Sequence, residues 1–239
     1  IQKSVFLLKN SDGSPKQLDL PNFSIRWSGL ESAGPWSVLT STVSLENGYQ
    51  ASSTTKYGIT TTRTENDTIT NRIIEQIDYT KNWNPLIGIN IQWKNKINTS
   101  ARYTQTESFN DARKGQAQRA RSTQTGIQVT AGYTMQQGFR IPIKMWPFKN
   151  KRFKNQTDFS LSYNQSTTRT ENAVKPGVEW GPFVEQAFTT TYTLSPKVTM
   201  TFSRTVTGYV QYEYGATNSK SGSSKINSFK FNVSIQIRG

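Results

Sequence analysis

The sequence of 239 residues contains no cysteine and no histidine. Without cysteine there are no disulfides and no thiolate chemistry, and the sequence does not indicate whether the protein resides in an oxidising or a reducing compartment. Without histidine the commonest general base and the commonest metal ligand are missing. Two carboxylate pairs, Glu75 with Asp78 and Glu107 with Asp111, lie in polar strand or loop contexts with no catalytic partner. We therefore predict that the chain is not an enzyme and holds no cofactor or metal.

Long hydrophobic runs are also missing. Only 33% of the residues are hydrophobic, the mean hydropathy is −0.66, and Thr, Ser, Asn and Gln occur in every segment. No stretch approaches the roughly 18 apolar residues of a membrane helix. A membrane β-barrel needs no such stretch, because its strands are apolar only at alternate positions. The low hydropathy therefore does not exclude a membrane.

Acidic residues are scarce, with 15 Asp and Glu against 29 Lys and Arg, and the net charge is +14. Such a balance indicates a polyanionic partner, which could be nucleic acid, an anionic membrane surface or an acidic cargo. The first residues, "IQKSVFLLKN", include neither an initiating Met nor a signal-peptide pattern. We interpret the sequence as a piece of a longer protein.

A period of two is the strongest pattern in the chain. In the last stretch, "FKFNVSIQIRG", the apolar residues alternate with polar ones from Phe229 to Ile237. This period predicts a β-strand with one apolar and one polar face. Seven such strands are predicted from residue 70 onward, at 70–93, 97–107, 121–135, 156–168, 183–202, 206–215 and 226–238. The stretch "NFSIRWSG" and the Thr-rich run 38–63 add two to four more, which gives an all-β protein of about nine to eleven antiparallel strands.

The connections alternate between short and long. Tight turns are predicted at 94–96 and 203–205, and the strand 183–202 is predicted to continue through Pro196, although proline disfavours a strand interior. Longer polar loops are predicted at 108–120, 169–182 and 215–225. The segment 138–154 is predicted on the same side as the tight turns, although it is longer than a turn. Short turns on one side and long loops on the other are typical of outer-membrane barrels.

The apolar face could contact lipid or a protein core. The alternations persist for nine or more residues, whereas strands of soluble proteins usually run about 5–6 residues. Aromatic residues fall near the predicted strand ends, where the interfacial girdles of a barrel lie: Trp93, Tyr103, Tyr163 and Tyr214. These features favour a transmembrane β-barrel, which is the C-terminal part of a larger outer-membrane barrel if the strand count is odd. A soluble β-sandwich remains the alternative.

The face on which each residue lies then follows from the alternation along its strand, because successive side chains point to opposite faces. The residues predicted to face the lumen are Asn90, Gln92, Arg102, Gln128, Thr130, Ser160, Ser162, Thr199, Thr201, Gln211, Lys230, Asn232, Ser234 and Gln236. The residues predicted to face lipid are Ile87, Ile89, Ile91, Val129, Phe159, Leu161, Val198, Met200, Phe202, Val210, Tyr212, Phe231, Val233 and Ile235.

Two segments concentrate positive charge. The stretch "KMWPFKNKRFK" interleaves cations with aromatics, which suits the membrane interface or a periplasmic partner better than nucleic acid; its predicted contact residues are Lys144, Trp146, Phe148, Lys149 and Arg152. The stretch "DARKGQAQRAR" is predicted to be an external loop. Its cations would contact lipopolysaccharide or be solvated.

Four stretches resemble the C-terminal region of the SprA/Sov family, the giant outer-membrane translocon of the type IX secretion system: "LPNFSIRWSGL" (20–30), "NWNPLIGINIQWKNKINTSARYTQT" (82–106), "GFRIPIKMWPFKNKRFKNQTDFSLSYN" (138–164) and "TLSPKVTMTFSRTVTGYVQYEYG" (193–215). The resemblance runs in order over nearly the whole chain. It implies that residues 20–239 belong to a very large single-chain barrel and that residues 1–19 are a connecting segment.

The resemblance also implies a function. The family exports folded cargo proteins across the bacterial outer membrane and in many members supports gliding motility. Expected partners are membrane lipid and lipopolysaccharide, secreted cargo, and accessory outer-membrane and periplasmic secretion components, without nucleic acid or a small-molecule substrate. The alternatives are a self-contained outer-membrane barrel of the porin or lipopolysaccharide-assembly type, or a soluble β-sandwich adhesin or nucleic-acid-binding module.

Overall fold

The computed structural model describes residues 2–4, 6–9, 15–18, 22–32, 34, 36–64, 67–113, 118–135, 139–140, 152–153, 156–175, 180–201 and 206–235. Within these ranges the chain is almost entirely strand. The strands are β1 (Gln2–Ser4), β2 (Phe6–Lys9), β3 (Pro15–Leu18), β4 (Phe23–Ser28), β5 (Thr40–Thr64), β6 (Asp67–Trp93), β7 (Ile97–Ala112), β8 (Gln118–Met135), β9 (Phe139–Arg140), β10 (Arg152–Phe153), β11 (Thr157–Val174), β12 (Val184–Thr201), β13 (Val206–Ser219) and β14 (Gly222–Ile235). A 3₁₀ turn (Leu30–Ser32) and a four-residue helix, α1 (Trp36–Leu39), join β4 to β5.

Ten strands form one antiparallel sheet that follows chain order from β5 to β14, with the short pairs β2–β3 and β9–β10 outside it. β1 and β4 share one position, because both pair with the same edge of β5. The sheet therefore has nine strand positions. It confirms the prediction of an all-β protein with antiparallel strands. We call the end of the sheet at the 94–96 turn the near end and the opposite end the far end.

Strands are longer than the apolar alternation predicts. β5 has 25 residues and β6 has 27. The loops predicted at 108–120, 169–182 and 215–225 are wrong in extent, because β7 runs to Ala112, β11 to Val174 and β13 to Ser219. Backbone hydrogen bonds hold a ladder whatever its side chains, and Thr is a good strand former. The apolar alternation therefore marks only part of each strand.

Other local predictions are confirmed. The 94–96 turn is tight, with the Lys96 N–H donating to the Trp93 carbonyl at 3.0 Å. β12 runs through Pro196, and its pairing with β13 skips from Leu194 to Lys197, as the missing proline N–H requires. The turn predicted at 203–205 lies outside the described residues.

Two neighbouring strands bulge at the same level. The β5–β6 register shifts between Glu46 and Tyr49, opposite the segment around Pro85. The Asn47 side-chain amide donates to the Leu86 carbonyl at 2.6 Å. Gly48 is required there, because a Cβ would lie 2.7 Å from the Asn84 carbonyl oxygen. Bulges increase the local twist of a strand pair, and we expect the same of this one.

The sheet is a single layer over most of its area. The accessible surface is 16550 Å², whereas a compact monomer of 27.0 kDa exposes about 11,000 Å². Phe231 is 70% exposed and Val233 is 47% exposed. No second sheet packs on the apolar face within the described residues. The arrangement of a soluble two-layer sandwich is therefore absent from the described part of the chain.

Among the described helical residues, none belongs to a helix with the length and apolarity needed to cross a membrane.

Candidate functional site

The register divides the predicted facing residues between two opposite faces of the sheet. Residues directly opposite one another on antiparallel strands lie on the same face, and we call a set of such residues a register row. One row links Ile89, Ala101, Val129, Tyr163, Leu194, Tyr214 and Asn227. Every second row belongs to the same face.

The face that contains this row, here the apolar face, holds the described residues of the lipid-facing set: Ile87, Ile89, Ile91, Val129, Phe159, Leu161, Val198, Met200, Val210, Tyr212, Phe231 and Val233. The opposite face, here the polar face, holds those of the lumen-facing set: Asn90, Gln92, Arg102, Gln128, Thr130, Ser160, Ser162, Thr199, Thr201, Gln211, Lys230, Asn232 and Ser234. Contact of either face with lipid or water stays a prediction.

Several predicted residues fall outside this description. Phe202 and Gln236 lie outside the described residues, as do Lys144, Trp146, Phe148 and Lys149. Ile235 and Arg152 belong to β14 and β10, but their side chains are also outside it.

The apolar part of the apolar face forms a band that crosses the sheet obliquely. The far-side boundary is taken on each strand as the last apolar or aromatic residue before the first polar one. On β6 it is Trp83, which Lys81 follows, and it lies four residues beyond the row of Val129. On β11 it is Tyr163, in that row, and on β14 it is Phe229, two residues to its near side. The boundary thus shifts by six residues between β6 and β14.

The position of one charged residue, Lys225, agrees with this oblique boundary. Lys225 of β14 lies in the same register row as Ile87, Tyr103 and Ile127. These three apolar or aromatic residues are on the same face, in the distant strands β6, β7 and β8. A band parallel to the register rows would place this lysine among apolar residues. The oblique band leaves it outside.

The shift gives a strand tilt. Six residues at about 3.4 Å each are about 20 Å, and six strand-to-strand steps at about 4.8 Å are about 29 Å. A band that is level in space then requires strands tilted by about 35° from the band normal. Strands of membrane barrels tilt by about 35–45°. The slope of the band across the sheet is therefore at the lower end of this range.

Aromatic rings occupy the far-side boundary of the band. The outermost band residue is aromatic on six of the seven strands β6–β14 of the sheet, the exception being Ile127: Trp83, Tyr103, Tyr163, Tyr192, Tyr214 and Phe229. Tyr163 donates to the Gln165 side chain at 2.7 Å, and Trp83 packs on Tyr49 with ring centroids 4.5 Å apart. Tyr103, Tyr163 and Tyr214 were predicted near strand ends. They lie within longer strands, at the change from apolar to polar.

Beyond the aromatic boundary the same face carries a compact charged cluster at the far end. Asp111 has a side chain that is only 7% exposed, and it pairs with Arg113 at 3.1 Å and with Arg119 at 3.5 Å. Arg121 pairs with Glu171, its Nε donating at 2.7 Å. The prediction that these arginines lie on an external loop is wrong for Arg119 and Arg121, which are strand residues paired with carboxylates.

Two aromatic residues that precede β12 cover this cluster. The Trp180 ring lies 4.2 Å from the Arg119 guanidinium, and the Phe183 ring lies 4.6 Å from that of Arg121 and 6.2 Å from Phe109. Phe109 is 6% exposed. Trp180 and Phe183 therefore pack on the apolar face of the far end.

We expect Asp111→Asn to lower the free energy of unfolding by about 1–3 kcal/mol, because Arg113 and Arg119 lose a largely buried counter-charge. The matched change Glu213→Gln removes a more exposed pair with Lys230 (3.0 Å) and should cost at most about 1 kcal/mol. Chemical unfolding in detergent micelles measures both. Equal shifts would show that the cluster adds nothing to stability.

The polar face is mostly neutral. Its charged groups include Glu46, which contacts Arg102 at 3.2 Å, Arg26 at 3.8 Å and the Asn90 amide at 3.1 Å, and Glu213, which pairs with Lys230. The hydroxyls of Ser100 and Thr130 share a hydrogen bond of 2.7 Å. Shallow clefts of about 520 and 480 Å³ lie between these side chains. The described part of this face offers hydration and short polar contacts, and no group of three or more potential metal-ligating side chains among the described residues.

The two edges of the sheet differ. Along β5 the free backbone is capped: β4 and β1 pair with it, the Val43 N–H donates to the Glu31 carboxylate at 2.9 Å, and the Ala51 N–H donates to Asn22 at 2.9 Å. The hydrogen bond from Val43 lowers the pKa of Glu31. On β14 the outer edge has no partner strand within the described residues.

Sequence reasoning missed Trp83 and Tyr192 as boundary residues. The signal was present, since each is the last aromatic residue before a Thr- or Lys-bearing stretch on its face. Only the register shows that the six rings follow one line. Neither the protein-family models nor the curated proteins with which the chain was compared match it.

Proposed function

We propose that the apolar face contacts the lipid of a bacterial outer membrane and that the polar face lines an aqueous conduit. The observation that carries this proposal is the oblique apolar band with its aromatic boundary. A soluble sheet has no reason to shift its apolar side chains by a net six residues from one edge strand toward the other. A tilted strand in a bilayer must do so, because the apolar region has a fixed level.

We assign the conduit to protein export, as the C-terminal barrel part of a type IX secretion translocon of the SprA kind. The support is the ordered resemblance over residues 20–239 together with the small, neutral side chains of the polar face. A wall of Ser, Thr, Asn and Gln stays hydrated and binds no folded cargo tightly, so passage does not become trapping. Secreted proteins and accessory secretion components are its proposed partners.

The strand polarity favours a larger barrel over a self-contained one. β14 runs from the far end to the near end, and β4 and β1 run the same way, since all lie antiparallel to strands of opposite direction. Joining the two edges directly would make a parallel pair. An antiparallel barrel therefore needs further strands between them, in odd number, which a porin-type barrel made of these strands alone lacks.

Neighbouring residues of β11 provide the test. The chain has no cysteine, so Ser162→Cys and Leu161→Cys each introduce one thiol, on the polar and the apolar face respectively. In membranes we expect a water-soluble, membrane-impermeant maleimide to modify Cys at 162 at least tenfold faster than at 161. A secretion cargo arrested in the conduit should then protect position 162.

Each part of the proposal has its own contradicting outcome. Equal labelling at both positions in membranes would show that the apolar face is not in lipid. Faster labelling at 162 without any effect of arrested cargo would leave a barrel but reject protein export.

A further inference from the structure

The hairpin of β5 and β6 extends well beyond the rest of the sheet at the far end. β7 stops pairing with β6 at Gln76, and β1 pairs with β5 only as far as Thr54. Beyond these points β5 and β6 remain paired with each other as a two-stranded ribbon, whose β5 strand alone spans about 30 Å. We call this ribbon, residues 55–64 and 67–76, the far-end arm.

The arm has no strand paired to either of its outer edges within the described residues. A two-stranded hairpin is at best marginally stable by itself in water, and exposed edges are usually blunted by lysine, by proline or by bulges. Between 57 and 74 the sequence has neither lysine nor proline, and the described pairing of this stretch shows no bulge. The arm therefore presents an edge that accepts another strand.

One face of the arm exposes apolar side chains. Tyr57 lies directly opposite Ile74, and Ile59 is on the same face two residues further along β5. All three are exposed, Ile59 by 75%. The Arg72 guanidinium lies 3.8 Å from the centre of the Tyr57 ring and is the neighbour of that ring across the ribbon. A third strand beside β6 would cover Ile74 from its open side.

Lipid cannot supply this cover. Ile74 is nine residues beyond Trp83, the boundary residue of the apolar band on β6. Nine residues of extended strand are about 30 Å, or about 25 Å along the band normal at a tilt of about 35°. The exposed isoleucines of the arm therefore lie far outside the level of the band, and their partner is a protein.

The β6 edge suits a separate protein better than this chain or a second copy of it. The connection of β7 to β8, at 113–117, is too short to reverse the chain and also form another strand. The arm of a second copy continues into its own sheet, which would collide with β7 directly below the edge. The β5 edge is less accessible, because β1 enters beside it with Gln2 opposite Thr54.

We infer that the far-end arm is a docking edge for an extended segment of another protein, which adds to β6 as a strand where β7 ends. The ladder between β6 and β7 is continuous with this edge, so the added backbone follows hydrogen bonds already begun. The partner chemistry is an extended polypeptide with apolar side chains at alternate positions, which would lie beside Ile74.

The identity of the partner rests on the proposed function. Short turns of outer-membrane barrels face the periplasm and longer connections face the exterior, so the far end with its arm would lie outside the cell. A secreted protein at the outer mouth of the conduit is then the partner that meets this edge.

The probe for the experiment is a fluorescent peptide of alternating valine and threonine with a lysine at each end. A control peptide has the same side chains but an N-methyl group on every peptide nitrogen, which removes its hydrogen-bond donors. Both are titrated against the full chain in detergent micelles, and fluorescence anisotropy measures binding. We expect the control peptide to bind at least tenfold more weakly.

Two matched variants identify the strand that binds. Ile74→Lys places a cation beside the added strand and should weaken binding of the unmethylated peptide at least tenfold, because lysine on an edge opposes strand addition. Ile59→Lys makes the same change on the same face of β5 and should weaken it less than twofold. Deuterium exchange of backbone amides in the unmodified chain should slow more on β6 than on β5 when the peptide binds.

Equal binding of the two peptides, equal losses in the two variants, or slower exchange confined to β5 would overturn the inference. If Ile74→Lys fails to fold, the two peptides and the exchange measurement still decide, since they use the unmodified chain. Failure of the proposed function is a different result. A chain that stays folded and soluble without detergent contradicts the membrane placement, whereas strand addition is measured independently of a bilayer.

Discussion

Val233→Lys should prevent most of the chain from assembling in the membrane, whereas Asn232→Lys should assemble almost as the unmodified chain does. The two residues are neighbours in β14, so the strand and the distance from the chain end are matched. The substitutions add the same side chain and the same charge. Only the face of the sheet differs between them.

The expected size follows from where Val233 lies in the apolar band. On β14 the alternating apolar residues run from Phe229 toward the chain end, and Val233 is in their middle. A lysine at the midplane of a membrane barrel costs about 2–4 kcal/mol, against about 0–1 kcal/mol near an interface. Asn232 lies opposite Tyr209 on the polar face, where a cation stays hydrated.

The fraction of protein that resists urea extraction from the membrane pellet measures the effect. We expect a loss of at least tenfold for Val233→Lys and less than twofold for Asn232→Lys. If the two variants assemble equally, the apolar face does not contact lipid, and the proposed function fails with it.

Much of the fold could be predicted from the period-two pattern, because side-chain alternation is fixed by strand geometry. The parity of Phe159 and Leu161 places them on one face and Ser160 on the other without any coordinates. The apolar residues keep the same alternation on both sides of Pro196. This pattern predicted one continuous strand, although a proline by itself suggests a break. These predictions needed only local rules.

The missed features all depend on neighbouring strands. The far halves of β7 and β8 carry few apolar residues, so nothing in the sequence distinguishes them from polar loops. Arg119 and Arg121 lie in the backbone ladder of β8, and their charges are paired with Asp111 and Glu171 on neighbouring strands. The aromatic boundary likewise needs the register, since Trp83 and Phe229 are far apart in sequence and are offset by six residues in the sheet.

A second substitution pair tests the oblique band directly. Val129 and Asn227 lie in the same register row of the same face, on β8 and β14. Val129 is inside the band, whereas Asn227 lies beyond Phe229, on the polar side of the boundary. We expect Val129→Lys to cost about 2–4 kcal/mol of assembly free energy and Asn227→Lys about 0–1 kcal/mol.

The comparison separates two causes of an apolar face. A sheet that is covered by another protein layer has no preferred level along its strands, so equivalent positions in one row should respond alike. A bilayer is level in space, and strands tilted by about 35° must then cross it at different residues. Urea titration of vesicle-bound protein measures both variants against the unmodified chain. Equal losses of assembly free energy at positions 129 and 227 would contradict the inferred strand tilt. The physical reason for placing these strands in a membrane would then be lost as well.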